Sequence, residues 1–232
     1  VDTMPDDTAV LLYTSGTTGQ PKGAELTHFN LFFNALYVKD KLVYVKPDDV
    51  ALAVLPLFHS FGQTCVMNTT LTAGATMTMM TKFEMPKIME VIQRDRVTVL
   101  SAVPTMYFFM LNADKASSYD LSSIRLAISG GAALPVEVLT QFEERYGIRI
   151  LEGYGLSETS PVASFNVLER PSKPGSIGLP IWGTQMRIMR EDATFADVGE
   201  VGEIVSRGHN VMKGYYKNPA ATEEAIVNGW FY

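Results

Sequence analysis

The segment Tyr13–Gly23, YTSGTTGQPKG, concentrates glycines and hydrogen-bonding side chains directly after an apolar run. It holds three glycines, four small hydroxyl side chains and one lysine. Glycines let a backbone bend sharply and approach a ligand, and consecutive N–H groups in such a bend form a concave anion site. The segment therefore predicts a polyphosphate cradle, although an ordinary flexible loop has a similar composition. The candidate phosphate-binding residues are Thr14, Ser15, Gly16, Thr17, Thr18, Gly19 and Lys22.

The lysine of this segment does not fit the P-loop of kinases and GTPases, whose pattern is G-x-x-x-x-G-K-[ST]. Pro21 precedes Lys22 at the position where that pattern requires glycine. Gly23 follows at the position where a serine or threonine would hold Mg²⁺. We therefore expect a different cradle, built from a strand, a loop and a helix.

A second candidate segment, LEGYGLSETSP, adds an aromatic ring and a carboxylate. Tyr154 lies between two glycines, which leaves its ring free to stack on a purine. Ser157 can reach a phosphate oxygen, and Glu158 offers the kind of oxygen ligand that Mg²⁺ prefers. Taken alone, the segment is also compatible with a simple β-turn, but its pairing with the first segment favours a nucleotide site.

Two further segments could border a ligand. LPLFHSFG places His59 after an apolar run, where a neutral imidazole can donate to a carboxylate or phosphate oxygen. AISGGAALP turns at Gly130 and Gly131, where a thin group can lie against a backbone that carries no Cβ atoms. A structural histidine and an ordinary strand-to-helix turn are the respective alternatives.

Short apolar runs alternate with helical patterns along the first part of the chain. Such alternation predicts an α/β fold with a mostly parallel sheet flanked by helices, in which ligands lie beyond the carboxyl ends of the strands. The predicted strands are 9–14, 50–56, 75–80, 97–102, 124–130 and 148–154, and the predicted helices are 28–42, 86–96 and 135–147. Thr27 is the expected cap of the first helix, and Gly147 the expected end of the last.

The pattern changes near Arg170, where RPSKPGSIGLP reads as a loop rich in proline, glycine and serine. The short strand signals MRIMR and GEIVSR follow it. We therefore expect an α/β region at 1–170 and a small β-rich lobe at 171–232.

The composition is that of a globular protein, with 232 residues, 47% hydrophobic and 19% charged. A net charge of −6 argues against a broad nucleic-acid footprint. The single cysteine, Cys65, cannot form an internal disulfide, so we expect it in the core of a cytoplasmic protein. No apolar stretch approaches the roughly 20 residues that a membrane-spanning helix needs. Peripheral membrane contact and oligomer formation stay open.

The four quoted segments together resemble the signatures of the adenylate-forming superfamily, which includes acyl-CoA synthetases, luciferases and peptide-synthetase adenylation domains. YTSGTTGQPKG matches closely at every position, and LEGYGLSETSP resembles the Y-G-x-[ST]-E-T motif. LPLFHSFG resembles the histidine loop of the family, and AISGGAALP the segment beside the adenine and acyl-adenylate. GEIVSRGHNVMKGYYKNPAAT resembles a structural stretch, in which we expect His209 and Lys213 to be structural.

This resemblance implies a role for individual residues. Catalytic roles fall to Lys22, His59 and Glu158, metal binding to Glu158 and Thr14, and acyl binding to His59, Gly130 and Gly131. The implied ATP- and AMP-binding residues are Thr14, Ser15, Gly16, Thr17, Thr18, Gly19, Lys22, Gly131, Ala132, Ala133, Glu152, Gly153, Tyr154, Gly155 and Ser157. Glu152 departs from several relatives, which carry glutamine there, and Ser157 stands where threonine is common.

The reaction implied by the resemblance has two steps, with Mg²⁺ as cofactor and ATP and CoA as co-substrates. A carboxylate attacks the α-phosphate of ATP to give an acyl-adenylate and pyrophosphate, and the thiol of CoA then displaces AMP. The stretch KFEMPKIMEVIQRDRVTVLSAVPTMYFFMLN looks most like long-chain fatty acyl-CoA synthetases. An aryl-acid–CoA ligase and an amino-acid adenylation domain are the alternatives.

Both ends of the chain resemble cuts through a longer protein, since it begins at Val1 without methionine and stops within the aromatic run NGWFY. In the family, the sequence continues to an aspartate that binds the ribose and to a C-terminal lid that carries a catalytic lysine. Besides the ligase and the adenylation domain, a third possible function of this chain is therefore the binding of nucleotide or acyl-adenylate without turnover.

Overall fold

A computed structural model describes residues 2–14, 20–113, 118–171 and 173–232, and it contains strands and helices in the order expected of an α/β fold. The strands are β1 (Thr8–Thr14), β2 (Lys22–Thr27), β3 (Val50–Ala53), β4 (Thr76–Met79), β5 (Val99–Ala102), β6 (Leu126–Ser129), β7 (Ile150–Gly155), β8 (Val162–Phe165), β9 (Leu179–Pro180), β10 (Thr184–Met189), β11 (Glu203–Gly208), β12 (Gly214–Tyr215), β13 (Ile226–Val227) and β14 (Trp230–Phe231). The α-helices are α1 (His28–Tyr37), α2 (Thr69–Ala73), α3 (Lys87–Asp95), α4 (Pro104–Leu111), α5 (Val136–Tyr146) and α6 (Pro219–Ala225).

The central sheet has seven strands in the order β4-β3-β5-β6-β7-β8-β9. The five strands from β4 to β7 in this order run parallel, and β8 and β9 complete the sheet in antiparallel orientation. Helices connect the parallel strands, as the alternation of patterns predicts. The predicted fold class is therefore confirmed.

The two faces of this sheet are both covered, which explains why every residue of β5 and β6 is buried. On one face, Leu100 and Ala127 pack with residues of α3, α4 and α5. On the other face, Val99 and Ile128 pack with a π-helical segment, Phe61–Asn68. Cys65 belongs to this second core, as expected.

A separate antiparallel sheet holds the predicted phosphate segment. β1 pairs with β2 so that Thr14 lies opposite Lys22, and β12 pairs with the other edge of β2. The predicted strand 9–14 is present as β1 (Thr8–Thr14). The expectation that a helix directly follows the loop was wrong, because β2 follows instead and pairs antiparallel with β1 outside the parallel sheet. β2 becomes a strand because it gains backbone partners on both sides, one of them from a segment far along the chain.

The helix ends follow local signals. The Thr27 hydroxyl accepts a hydrogen bond from the Asn30 N–H at 3.1 Å, and the Asn30 side chain accepts one from the Thr27 N–H at 2.9 Å. Gly147 ends α5 with a φ of 66°, a conformation that favours glycine. The first predicted helix is shorter than expected, because α1 stops at Tyr37 and a wider π-helical turn continues over Val38–Leu42.

The last part of the chain is rich in β-structure, as expected. β10, β11, β14 and β13 form a four-stranded antiparallel sheet in that order. Two other strands of this part join earlier sheets, since β9 extends the central sheet and β12 pairs with β2. The boundary at residue 170 stays a prediction. In the described ranges, no helix combines the length and apolar character that crossing a bilayer requires.

Candidate active site

A cavity of about 850 Å³ lies where the hairpin β1–β2 meets the segments that follow β3, β6 and β7. Ligands bind at this edge of parallel sheets because the strand ends leave polar backbone groups and loops facing a crevice. The sequence-predicted residues that line it are Thr14, Lys22, His59, Gly130, Gly131, Gly153, Tyr154, Gly155, Ser157 and Glu158. Segments distant in sequence thus meet around one space.

Other predicted residues are placed differently. Ala132 and Ala133 are exposed on the turn before α5, and neither they nor Glu152 is among the residues that line the cavity. Ser15, Gly16, Thr17, Thr18 and Gly19 lie outside the described residues. The proposed roles of these residues stay predictions.

Glu158 is buried in a short 3₁₀ turn, Ser157–Thr159, and its carboxylate is held by two hydroxyl groups. The Tyr215 hydroxyl donates to Oε1 at 2.9 Å, and the Thr14 hydroxyl approaches the same oxygen at 3.4 Å. The backbone of the turn is also anchored, because the Met212 N–H donates to the Glu158 carbonyl oxygen at 2.8 Å. A buried carboxylate needs such donors to offset its lost hydration.

Tyr215 is a site residue that sequence reasoning missed. Its ring lies below the Lys22 ammonium, with Nζ 5.3 Å from the ring centroid, within the range of a cation–π contact. Burial, and then the neighbouring Glu158 carboxylate, raise the pKa of the Tyr215 phenol, so the group keeps its proton and donates at neutral pH. Its local sequence, KGYYKNP, carries no sign of this contact, since β12 brings it there only through pairing with β2.

The histidine loop contacts the Glu158 turn. His59 Nδ1 accepts a hydrogen bond from the Phe61 N–H at 3.2 Å, which leaves the proton of a neutral imidazole on Nε2. The hydroxyls of Ser60 and Ser157 lie 3.4 Å apart. Ser60 lines the cavity and was missed, although it directly follows His59 in the quoted segment.

Two glycines beside Tyr154 are required by protein packing. A Cβ on Gly153 would lie 2.3 Å from the Phe165 ring, and a Cβ on Gly155 would lie 1.9 Å from the Pro161 carbonyl oxygen. Close packing of β7 on β8 therefore places Tyr154 at the cavity wall. Burial, followed by the Glu203 and Glu158 charges, raises the pKa of the Tyr154 phenol. Tyr154 therefore stays uncharged at neutral pH.

Glu152 has a structural partner. Its side chain is 7% exposed, and Oε1 accepts a hydrogen bond from the Leu134 N–H at 3.3 Å. Burial raises the pKa of this carboxyl, and the Leu134 hydrogen bond opposes that rise. Glu152 thereby links the middle of β7 to the segment between β6 and α5. A glutamine oxygen could accept the same hydrogen bond, so both residue types fit this position.

The cavity also has an apolar wall that sequence reasoning did not assemble. Its members include Phe61 and Cys65 from the π-helical segment Phe61–Asn68 and Val162 and Phe165 from β8. Burial raises the pKa of the Cys65 thiol to about 12, so this thiol is neutral and behaves as an apolar wall residue. Ser129 joins the same wall, and its hydroxyl has no hydrogen-bond partner in the described structure.

The charged groups of the cavity are sparse. Lys22 and the carboxylates of Glu158, Glu203 and Glu224 line it. Across the parts of the chain that are described, no group of three or more His, Cys, Asp or Glu side chains could hold a metal ion by itself. Mg²⁺ is usually bound by one or two carboxylates together with substrate phosphates, so Glu158 beside Thr14 has the donor types that such an ion requires.

Comparison with known proteins gives a consistent result. The family model described as AMP-binding enzyme matches residues 1–216. A long-chain-fatty-acid–CoA ligase of Bacillus subtilis (strain 168) is 41% identical over 228 residues, which cover 97% of this chain and 41% of the relative. A feruloyl-CoA synthase of Amycolatopsis sp is 38% identical over 230 residues, which cover 98% of this chain and 46% of the relative.

A solved structure gives the same match in three dimensions. The crystal structure of ATP-bound MatB from Rhodopseudomonas palustris aligns with a TM-score of 0.92 at 35% identity, covering 100% of this chain and 46% of that one. The chain therefore spans less than half the length of the proteins to which it is compared here.

Proposed function

Because the chain belongs to the AMP-binding enzyme family, we propose that it is the nucleotide- and acid-binding part of an AMP-forming acid–CoA ligase. The proposed acid is a fatty acid. The proposed reaction joins the acid to AMP at the expense of ATP and then transfers the acyl group to the thiol of CoA.

One observation supports this proposal above the others. Four groups from three segments line one cavity: a lysine, an imidazole, a half-buried tyrosine ring and a buried carboxylate, namely Lys22, His59, Tyr154 and Glu158. A nucleotide needs an aromatic or apolar surface for its base and cationic or N–H donors for its phosphates. The cavity of about 850 Å³ offers both kinds of group and lies in the size range of small-molecule sites.

The first step of the proposed reaction brings two anions together. A carboxylate oxygen of the acid bonds to the α-phosphorus of ATP, while the bond from that phosphorus to the pyrophosphate oxygen breaks. Positioning and charge neutralisation are therefore the main tasks of the site. We assign neutralisation to Lys22, and hydrogen bonding to the α-phosphate or the acid to Ser157 and His59 Nε2–H.

We assign the binding of Mg²⁺ to Glu158 and Thr14. When bound, such an ion neutralises phosphate charge and orients the phosphates. The fit rests on the donor set, since the Thr14 hydroxyl lies 3.4 Å from Glu158 Oε1 and a carboxylate with a hydroxyl suits a hard cation. Glu158 is held in place by protein hydroxyl groups, which keeps its orientation independent of the ligand.

In the second step, the CoA sulfur bonds to the carbonyl carbon of the acyl-adenylate, the bond from that carbon to the AMP oxygen breaks, and the thiol proton is released. We assign no residue of the described ranges to this step. Support for CoA comes from the relatives, whose names include fatty-acid–CoA ligase and feruloyl-CoA synthase.

The apolar wall around Phe61, Val162 and Phe165 supports an acid with a hydrocarbon body. A fatty acid is our first candidate because the 41% identical relative is a long-chain-fatty-acid–CoA ligase. An aryl acid is the second candidate, because a feruloyl-CoA synthase is nearly as similar, at 38% identity. Amino-acid adenylation and nucleotide binding without turnover are the remaining alternatives from the sequence.

ATP–pyrophosphate exchange separates these candidates. The protein that contains this chain is incubated with ATP, labelled pyrophosphate and one acid at a time: dodecanoate and palmitate, ferulate and 4-coumarate, or the standard amino acids. We expect exchange with the fatty acids, because only a bound acid that attacks the α-phosphate returns label to ATP.

Each other outcome replaces the proposal with a defined alternative. Exchange driven only by ferulate or 4-coumarate would assign an aryl-acid ligase. Exchange driven only by amino acids would assign an adenylation domain. Nucleotide binding without exchange for any acid would leave a binding module.

The wider predictions belong to the same proposal. A cytoplasmic location, ATP and CoA as co-substrates, and the absence of a nucleic-acid partner stay predictions. Peripheral membrane contact and oligomer formation are also untested predictions.

A further inference from the structure

Tyr215 connects the β-strands of the last chain segment to two of the charged groups of the cavity, Lys22 and Glu158. It contacts Glu158 through its hydroxyl and Lys22 through its ring. No motif assigns it a role, and it is 8% exposed within a small apolar cluster that includes Leu12 and Leu26. A structural residue would need only the apolar contacts, so the polar contacts call for a separate explanation.

The hydroxyl of Tyr215 determines how the Glu158 carboxylate is presented. Both hydrogen bonds described at this carboxylate, from Tyr215 and Thr14, end on Oε1. This arrangement leaves Oε2 without a hydrogen-bond partner among the described residues. Hydrogen bonds to a charged acceptor are stronger than neutral ones, so the 2.9 Å contact from Tyr215 is well suited to fix the orientation of the group.

The ring of Tyr215 supports the Lys22 side chain. Lys22 is flexible in general, since its ammonium sits on a four-carbon stem, and a cation over an aromatic face loses part of that freedom. Nζ lies 5.3 Å from the centroid of the ring whose hydroxyl donates to Glu158. One aromatic side chain thus contacts both the candidate metal ligand and the candidate phosphate ligand.

The backbone around Tyr215 is anchored well enough to hold this geometry. The Tyr215 N–H donates to the Thr222 hydroxyl at 2.9 Å, and the Tyr216 N–H donates to the Gly23 carbonyl oxygen at 2.7 Å. The Met212 N–H donates to the Glu158 carbonyl oxygen at 2.8 Å. The chain around Tyr215 therefore forms backbone hydrogen bonds with β2, which carries Lys22, and with the turn that carries Glu158.

We propose that Tyr215 is a positioning residue, which orients the Glu158 carboxylate toward a divalent cation and holds Lys22 for the phosphates of a nucleotide. This inference rests on the proposed function for the identity of the ligands. It assigns to the last chain segment a direct part in building the nucleotide site.

The test separates the hydroxyl from the ring. Tyr215→Phe removes the hydrogen bond to Glu158 and keeps the ring below Lys22, whereas Tyr215→Leu removes both contacts. Tyr44→Phe is the matched control, because the Tyr44 hydroxyl donates to the Glu169 carboxylate on the surface, away from the cavity. The probe is α,β-methylene-ATP, titrated into the protein that contains this chain with Mg²⁺ or with EDTA and followed by ³¹P NMR, which detects weak binding.

We expect Tyr215→Phe to bind the probe about tenfold more weakly in Mg²⁺ and less than about twofold more weakly in EDTA, since the lost hydrogen bond is to a charged group. Tyr215→Leu should bind the probe about threefold more weakly than Tyr215→Phe, both in Mg²⁺ and in EDTA, because the cation–π contact is also lost. Tyr44→Phe should match the wild type. A purely structural role for Tyr215 would weaken binding equally with and without Mg²⁺.

Failure of the inference can be distinguished from failure of the proposed function. If Mg²⁺ increased the affinity for the probe equally in the wild type and in Tyr215→Phe, the positioning role alone would be overturned. Binding of the wild type that does not depend on Mg²⁺ would also overturn it. Absence of any nucleotide binding would overturn the proposed function.

A crystal structure of Tyr215→Phe decides the positioning role independently of the nucleotide. A rotated Glu158 carboxylate with Lys22 still over the ring would support the inference, and an unchanged carboxylate would refute it.

Discussion

The network around Asp49 lies at the amino ends of the parallel strands, at the edge of the sheet away from the cavity. The two carboxylate oxygens of Asp49 accept hydrogen bonds from Arg125 Nε at 2.9 Å and Nη2 at 2.7 Å. They also accept from the Thr98 hydroxyl at 2.6 Å and from the Lys46 N–H at 2.8 Å. Asp49, Thr98 and Arg125 directly precede β3, β5 and β6. We predict that Asp49→Asn destabilises the fold without disturbing the candidate site.

The size of the effect follows from the environment of the carboxylate. Burial by itself would raise the pKa of Asp49, but the hydrogen bonds from Arg125, Thr98 and Lys46 and the Arg125 charge outweigh it and lower the pKa from 3.8 to about 2. The Asp49 side chain is only 6% exposed, so solvent screens this interaction weakly. At about 1.4 kcal/mol per pKa unit, the ionised carboxylate contributes about 2 kcal/mol to the free energy of unfolding at neutral pH.

The pH dependence has a definite sign. The pKa of Asp49 is lower in the folded state than in the unfolded state, so the contribution is fully present above about pH 4 and is lost as the pH falls through about 2. Asparagine has nearly the same shape but no charge. The stability difference between wild type and Asp49→Asn should therefore be about 2 kcal/mol at pH 7 and shrink between pH 4 and pH 2.

Urea unfolding followed by circular dichroism measures this difference, with each protein examined at pH 7 and at several values down to pH 2. Asp120→Asn is the matched control, because Asp120 pairs with Arg96 at 3.1 Å on the surface, where both side chains are more than half exposed. Exposed pairs contribute little, so the control should unfold close to the wild type. Binding of α,β-methylene-ATP should be unchanged in both variants.

Two results would refute this reasoning. If Asp49→Asn and the wild type had equal free energies of unfolding at pH 7, the ionised carboxylate would not stabilise the fold. If a difference of full size persisted at pH 2, its origin would be packing or an altered hydrogen bond, because most of the contribution of the ionised carboxylate is lost once the pH reaches the folded-state pKa of about 2.

The other predictions concern the cavity. Lys22→Ala and Glu158→Gln should each slow ATP–pyrophosphate exchange by about a hundredfold or more, since each removes a group that neutralises or organises phosphate charge; unchanged exchange in either variant would remove that residue from the mechanism. Gly155→Ala should lower the free energy of unfolding by about 2–3 kcal/mol in urea titrations, because overpacking against backbone cannot relax easily. Gly147→Ala is its control: a Cβ there meets nothing within 4 Å, and its φ of 66° predicts a cost of about 1 kcal/mol. Equal stability of the two glycine variants would contradict the packing argument.

Much of the candidate site could be predicted because its residues lie in short segments with distinctive local chemistry. Glycine-rich turns after apolar strands predict strand ends, and strand ends of a parallel sheet share one edge. His59, Tyr154 and Glu158 therefore come together for a reason that is visible in the order of elements. Tyr215 and Ser60 could not be selected in the same way, although both lie in quoted segments, because the local sequence does not distinguish a tyrosine or serine that faces a ligand site from one that packs within the fold.

The glycines beside Tyr154 and the carboxyl of Glu152 show a different limit. From the sequence, these groups read as parts of a ligand surface. In the structure, Gly155 makes room for the Pro161 carbonyl oxygen and Glu152 accepts from the Leu134 N–H. Residue type alone does not reveal whether a small or polar group faces a ligand or another part of the protein.

Features that depend on neighbouring residues could be predicted: the apolar runs of the parallel strands, the cap at Thr27, the end of α5 at Gly147 and the clustering of phosphate-binding residue types. Features that depend on residues far along the chain emerged only in the folded protein. β2 is a strand because β1 and β12 pair with both of its edges, and Glu158 is oriented because that same β12 delivers the Tyr215 hydroxyl. Strand pairing and buried hydrogen bonds depend on which distant segment the fold brings near, and the conformational preferences of a short segment do not depend on that partner.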